Sequence, residues 1–186
     1  MNLFHLAGRY LDEGKSIAAI AIGIVLSVVV SGRVATRTGA PRRYVIATLV
    51  SLTVIVVATL QTRRAGGGLL DRNPFAHLSF GRLSSCYHPL IGPAGVFDLG
   101  SQATLNVALF VPLGIFATLA FRRPVRVIMG AFALAATLEV IQTIFQLGVC
   151  EGLDVTHNVI GAALGVGAAV VAMRLWPRIA ENPTRL

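Results

Sequence analysis

The chain has 186 residues, of which 55% are hydrophobic and only 13% are charged, about half of the charged share that is usual in soluble domains. Its mean hydropathy of +0.75 and the arrangement of its apolar residues in long blocks exclude a water-soluble fold. The net charge of +8 does not indicate a nucleic-acid-binding domain, because the basic residues flank the apolar blocks instead of forming one stripe with aromatic residues.

Five apolar blocks predict an all-α, polytopic membrane bundle of about five helices, each long enough for a hydrocarbon core of about 30 Å. Asp12 and Glu13 precede the first block, and basic residues follow it, so a cleaved signal peptide is not favoured. The predicted spans are residues 16–32, 44–61, 105–121, 127–147 and 158–176. In this organisation, residues 1–61 hold two N-terminal helices, 62–104 an extramembrane or interfacial loop, 105–176 a three-helix core and 177–186 a cytoplasmic tail.

The distribution of arginine and lysine predicts the orientation of the bundle. With five spans, one side carries ten basic residues and the other carries six. The positive-inside rule then places the N-terminus outside and the C-terminus in the cytoplasm. We therefore expect a multi-pass protein of the bacterial cell membrane that contacts membrane lipids.

The two cysteines, Cys86 and Cys150, fall in different loops that this topology places on the outer face. A disulfide between them and two unrelated thiols are equally compatible with the sequence, because the sequence does not give the Cα separation. The four histidines form no tight ligand pair with each other or with the cysteines. We therefore expect no metal site and no cofactor, and we interpret every histidine as solvated or hydrogen-bonded.

Polar residues inside or beside the last three spans are candidate functional residues. Glu139 is the only acidic residue within a predicted span, and an ionisable residue at membrane depth usually faces the bundle interior. Gln142 shares its helix face, and Asp154, Asn158 and Asn106 fall toward the same half of the bilayer. The pattern predicts one polar site, although an interhelical hydrogen-bond cluster that only holds the helices together explains it equally well.

Small residues and a proline also characterise the last three spans. Gly161 and Gly165 form a small-x-x-x-small surface that permits close helix packing, either within one chain or between copies in a homo-oligomer. Pro112 removes a backbone hydrogen bond from the third span and permits a kink.

This ordered combination of residues resembles the VanZ-like family of bacterial membrane proteins. The resemblance covers about residues 106–171, and the earlier Asn73-Pro74-Phe75 is similar to a weaker family element. The motifs are Asn106-Val-Ala-Leu-Phe-Val-Pro112-Leu-Gly114, Glu139-x-x-Gln142 and Asp154-x-x-x-Asn158-x-x-Gly161-x-x-x-Gly165.

The sequence departs from the family pattern in one turn. Gly148 stands where the family commonly has an arginine, whereas Glu151 stands where an acid is expected. This departure weakens the case for a charge pair or an anion-binding clamp in the turn. The polar residues that still match the family pattern are Asn106, Glu139, Gln142, Asp154 and Asn158.

The resemblance implies a cell-envelope protein, because the family is named after a protein associated with resistance to the glycopeptide teicoplanin. Our leading hypothesis is a non-enzymatic protein whose Glu139-centred site binds a polar headgroup or envelope component near the outer leaflet, with an influence on glycopeptide susceptibility. Lipid-linked envelope precursors are candidate partners. The alternative is an intramembrane enzyme acting on a lipid-linked precursor, with Glu139 as general base and Asp154 as its acidic companion. A transporter is a weaker third choice, because the spans show no inverted repeat.

Overall fold

Five helices make up the computed structural model, which describes residues 13–61, 100–145 and 152–176. They are α1 Glu13–Thr38, α2 Arg42–Gln61, α3 Ser101–Phe121, α4 Pro124–Ile144 and α5 Gly152–Leu175. All five are long and apolar enough to cross a membrane, and the described segments contain no strand. The prediction of an all-α bundle with about five membrane-spanning helices is therefore confirmed.

Four of the five helices are longer than the predicted spans, because apolar content alone does not mark where a helix ends, and α1 and α5 differ most. α1 continues past residue 32 to Thr38 and ends before Gly39, whose φ of +66° is a left-handed conformation that favours glycine. α5 begins at Gly152, well before residue 158, so Asp154 lies in its first turn. A negative charge is favourable there because the helix N-terminus carries partial positive charge.

The turn between α3 and α4 consists of only two residues. Arg122 has a left-handed φ of 54°, and its backbone N–H donates to the Thr118 carbonyl oxygen at 2.9 Å. Arg123 takes the extended φ of −129° because the proline at 124 disfavours the helical region for the residue before it. This sharp turn makes α3 and α4 antiparallel neighbours.

The seam between α3 and α5 is the most extensive helix contact in the described structure. A methyl group on Gly161 would overlap the Val107 carbonyl oxygen, and one on Gly165 would overlap that of Val111. Because both partners advance along the chain together, α3 and α5 run parallel. The two glycines thus pack within one chain, which answers the question that the sequence left open.

An apolar core fills the middle of the bundle, where side chains from α2 to α5 meet. Its buried members include Ile55, Phe110, Leu138 and Val155. α1 lies at the periphery and packs on α2, where Gly23 faces the Thr53 side chain. Most of the apolar surface of α1 is exposed, as expected for a helix that faces lipid.

The arginines and the acidic residues of the described segments lie at opposite ends of the bundle, and Lys15, in the first turn of α1, lies at the end of the acidic residues. The arginines of the described helices lie at the end that carries the α1–α2 and α3–α4 turns. They are Arg33, Arg37, Arg42, Arg43, Arg122, Arg123, Arg126 and Arg174. The described acidic residues Glu13, Glu139 and Asp154 lie toward the opposite end. We call these the basic end and the acidic end.

Candidate functional site

A layer of buried polar side chains lies at the acidic end, where α2 and α4 finish and α3 and α5 begin. Four of the five residues proposed from the sequence belong to it: Glu139, Gln142, Asp154 and Asn158 are all buried. The fifth, Asn106, is half-buried on α3. We refer to these five residues, with Gln102 and His157 described below, as the polar layer.

Gln142 connects α4 to α2 across this layer. Its side-chain Nε2 donates a hydrogen bond to the backbone carbonyl oxygen of Thr59 at 2.9 Å. The hydroxyl of the next residue, Thr143, donates to the Glu139 carbonyl oxygen of the same helix at 2.8 Å. The Gln142 contact supports the interpretation of the amide as an interhelical link, because such bonds stabilise membrane bundles by about 0.6–2 kcal/mol each.

Asp154 connects α5 to α3 through a residue that the sequence analysis did not propose. Gln102 Nε2 donates to Asp154 Oδ2 at 3.1 Å. Gln102 lies before the predicted third span, which started at residue 105, and it was therefore treated as loop. Its spacing of four from Asn106 on the same helix face is the signal that could have found it.

His157 is the second residue of the layer that the sequence analysis missed. Its side chain is only 3% exposed, and neither Nδ1 nor Nε2 has a hydrogen-bond partner among the residues that the structure describes. The interpretation of this histidine as solvated or hydrogen-bonded is therefore wrong. The spacing of three from Asp154 and four from Gly161 placed it on the buried face of α5.

Some polar groups of the layer have hydrogen-bond partners within the described segments and others do not. This difference separates the groups that hold helices together from those that could bind a ligand. The bonds of Gln142 and Asp154 join helices, and they go to partners outside the five residues proposed from the sequence. A buried polar group without a partner costs about 1–3 kcal/mol, and His157 carries two such nitrogens. The layer therefore has donor and acceptor capacity for a polar molecule in addition to its role in packing.

Several sequence predictions lie outside the described residues. They include the disulfide between Cys86 and Cys150, the turn that holds Gly148 and Glu151, and the Asn73-Pro74-Phe75 element. Within the described segments, no group of three or more histidine, cysteine, aspartate or glutamate side chains is placed to hold a metal ion.

Comparison with known proteins assigns the chain to a family. No curated protein and no solved structure gives a significant match. A family model described as VanZ/LLP1 matches residues 44–173, which is more than half of the chain and includes α2 in addition to the three-helix region that carried the sequence motifs. The chain therefore belongs to the VanZ/LLP1 family, as the resemblance implied, and it is a membrane protein with five candidate spans.

Proposed function

We propose that this chain is a non-enzymatic protein of the bacterial cell membrane whose polar layer binds the polar headgroup of a lipid or lipid-linked envelope component. The observation that carries the proposal is the burial of His157 within the layer, where neither ring nitrogen has a hydrogen-bond partner in the described part of the chain. A bound headgroup would supply the missing partners and remove the associated cost.

The chemistry of the layer favours a ligand that carries hydroxyl, amide or amine groups. The Glu139 carboxylate has up to about four acceptor positions, and a neutral imidazole offers one donor and one acceptor. The Gln142 amide uses one of its two N–H donors on Thr59, so a second remains to orient a ligand. Asn158 lies beside His157 on the buried face of α5 and adds both a donor and an acceptor.

The charge of the two ends indicates the leaflet in which this ligand would lie. The arginines collect at the basic end, which the positive-inside rule places in the cytoplasm. The polar layer then lies near the outer leaflet, where lipid-linked precursors of the cell wall are used. Sequestration or presentation of such a precursor is the route by which the protein would influence glycopeptide susceptibility.

Retention of lipid by purified variants tests the proposal. Wild type, Glu139→Gln and His157→Leu would be purified from the same bacterial membranes, and bound lipids would be identified by native mass spectrometry. Weakening of a hydrogen bond to the charged Glu139, worth about 1.5–3 kcal/mol, lowers affinity roughly 10- to 100-fold. His157→Leu removes a donor and an acceptor of about 0.5–1.5 kcal/mol each, so both variants should retain less lipid than wild type. Teicoplanin susceptibility would be compared at equal protein levels in the same cells.

Thr137→Val is the matched control for these variants. Thr137 is on α4 like Glu139, but it is exposed, and its hydroxyl bonds to the Ala133 carbonyl of its own helix. This variant should retain the lipid. If His157→Leu and Glu139→Gln retain it as well, the layer is only an interhelical contact, whereas conversion of the bound lipid to a product would support an intramembrane enzyme.

A further inference from the structure

A cavity of about 700 Å³ opens at the basic end, on the opposite side of the bundle from the polar layer. It lies between the end of α1, the middle of α2, the second half of α3 and the first half of α4. Its volume falls within the range of about 300–1,000 Å³ that is typical of ligand sites. The lining divides into a cationic rim and an apolar interior.

Three arginines form the rim, one from the end of α1 and two from the start of α4. Arg37 comes from the last turn of α1, Arg123 from the α3–α4 turn and Arg126 from the first turn of α4. All three side chains are exposed, and every acidic residue within the described segments lies toward the acidic end. The rim thus carries formal positive charge without a nearby described carboxylate, and the N-terminus of α4 adds partial positive charge.

The interior of the cavity is apolar. Its walls include Leu52 of α2, Leu113 and Ala117 of α3, and Leu134 of α4. The rise from Arg126 to Leu134 along α4 is about 12 Å, which approaches the thickness of one leaflet of a hydrocarbon core of about 30 Å. The cavity is therefore deep enough for a large part of one acyl chain.

We propose that this cavity binds an anionic phospholipid, with the phosphate among the three rim arginines and one acyl chain along the apolar walls. Basic pockets between membrane helices on the cytoplasmic side are suited to anionic headgroups, because the arginines attract phosphate at the membrane surface. A small soluble anion would neutralise the charge of the rim arginines, but it would leave the apolar interior of the cavity without an occupant. The proposal is independent of the polar layer and its ligand.

The first experiment measures headgroup preference. The full chain in detergent would be titrated with phosphatidylglycerol or phosphatidylethanolamine of the same acyl chains, and bound lipid would be quantified by native mass spectrometry. Wild type should prefer phosphatidylglycerol. Because each rim arginine contributes roughly five-fold in affinity, the triple variant Arg37→Gln, Arg123→Gln, Arg126→Gln should weaken phosphatidylglycerol on the order of 100-fold.

A charge-matched triple variant separates the rim from general surface charge. Arg33→Gln, Arg43→Gln, Arg174→Gln removes the same charge from the same end, but none of these residues lines the cavity. This control should retain the wild-type preference. Equal losses in the two triple variants, or no headgroup preference in wild type, would overturn the proposal.

The second experiment blocks the apolar interior of the cavity, where the acyl chain would lie. Gly130 lines the cavity, and a Cβ there meets no atom within 4 Å, so Gly130→Leu should occupy the space without displacing the backbone. Gly167→Leu on α5 is the control, since a Cβ at this exposed position also meets nothing within 4 Å. We expect at least a ten-fold loss of phosphatidylglycerol binding for Gly130→Leu alone, and unchanged binding in this variant would refute the acyl-chain placement.

Discussion

The close approach of α3 and α5 makes Gly161 one of the positions where even a single added methyl group should lower the stability of the bundle. In Gly161→Ala, the new methyl group would overlap the Val107 carbonyl oxygen and lie 2.9 Å from its carbonyl carbon and 3.0 Å from its Cα. Carbon atoms pack best at about 3.5–4.0 Å. The two helices must therefore separate by roughly 0.5–1 Å, because backbone atoms cannot rotate away as a side chain can.

The magnitude follows from two opposing effects. Overpacking of a close-packed interior costs about 1–3 kcal/mol, and a radial gap of about 0.5–1 Å forfeits a quarter to a half of each dispersion contact along the seam. Replacing a glycine inside a helix returns up to about 1 kcal/mol. We expect Gly161→Ala to lower the free energy of unfolding by about 1–2 kcal/mol, measured by reversible unfolding in mixed micelles and followed by circular dichroism.

Gly167→Ala is the matched control for this prediction, because it makes the same chemical change on the same helix. A Cβ at Gly167 meets nothing within 4 Å, so only the helix-propensity gain remains, and the variant should be as stable as wild type or more stable. The free energy of unfolding should thus fall in Gly161→Ala and stay equal or rise in Gly167→Ala. If Gly161→Ala were as stable as Gly167→Ala, the seam would be loose and the inferred backbone contact would be absent.

Two further predictions concern the polar layer and the orientation of the bundle. Gln102→Leu removes a donor from the buried Asp154 carboxylate and should cost about 1.5–3 kcal/mol in the free energy of unfolding. Adding Asp154→Leu should restore part of that loss, whereas purely additive effects in the double-mutant cycle would show that the pair is not coupled. The second prediction uses a single cysteine, Thr38→Cys, in a chain that also carries Cys86→Ser and Cys150→Ser. This cysteine reports the side of the membrane on which the exposed end of α1 lies. A membrane-impermeant maleimide should label it only after the cells are permeabilised, and labelling in intact cells would reverse the orientation expected from the positive-inside rule.

The sequence was sufficient to predict the five helices, because hydrocarbon requires each span to satisfy its own backbone. It also predicted the close-packing surface of Gly161 and Gly165, since a spacing of four places two residues on one helix face. What it could not predict is the partner of each surface. Gly161 faces Val107 because α3 and α5 run parallel. That arrangement arises because α4 crosses the bundle in the opposite direction and brings the chain back to the end at which α3 begins.

The polar layer was predicted incompletely for a related reason. Apolar periodicity finds where a span is most hydrophobic, and it therefore omits polar residues in the first turn of a helix. Gln102 and Asp154 both lie in such turns and bond to each other. The acceptor for Gln142 is a backbone carbonyl on α2, and no side-chain pattern in a sequence identifies a backbone acceptor.

The separation of the two proposed sites follows from the length of α4, which contributes to both. Arg126 belongs to the cavity rim and Glu139 to the buried polar layer. The rise between them is about 20 Å along the helix, and the apolar core that includes Ala131, Ala135 and Leu138 lies between. A headgroup in one site therefore cannot contact the other. Coupling between the two sites would pass through the helices that reach both of them, which are α2, α3 and α4. The short turn at residues 122–123 joins α3 to α4, so that a shift of one as a rigid element would move the other.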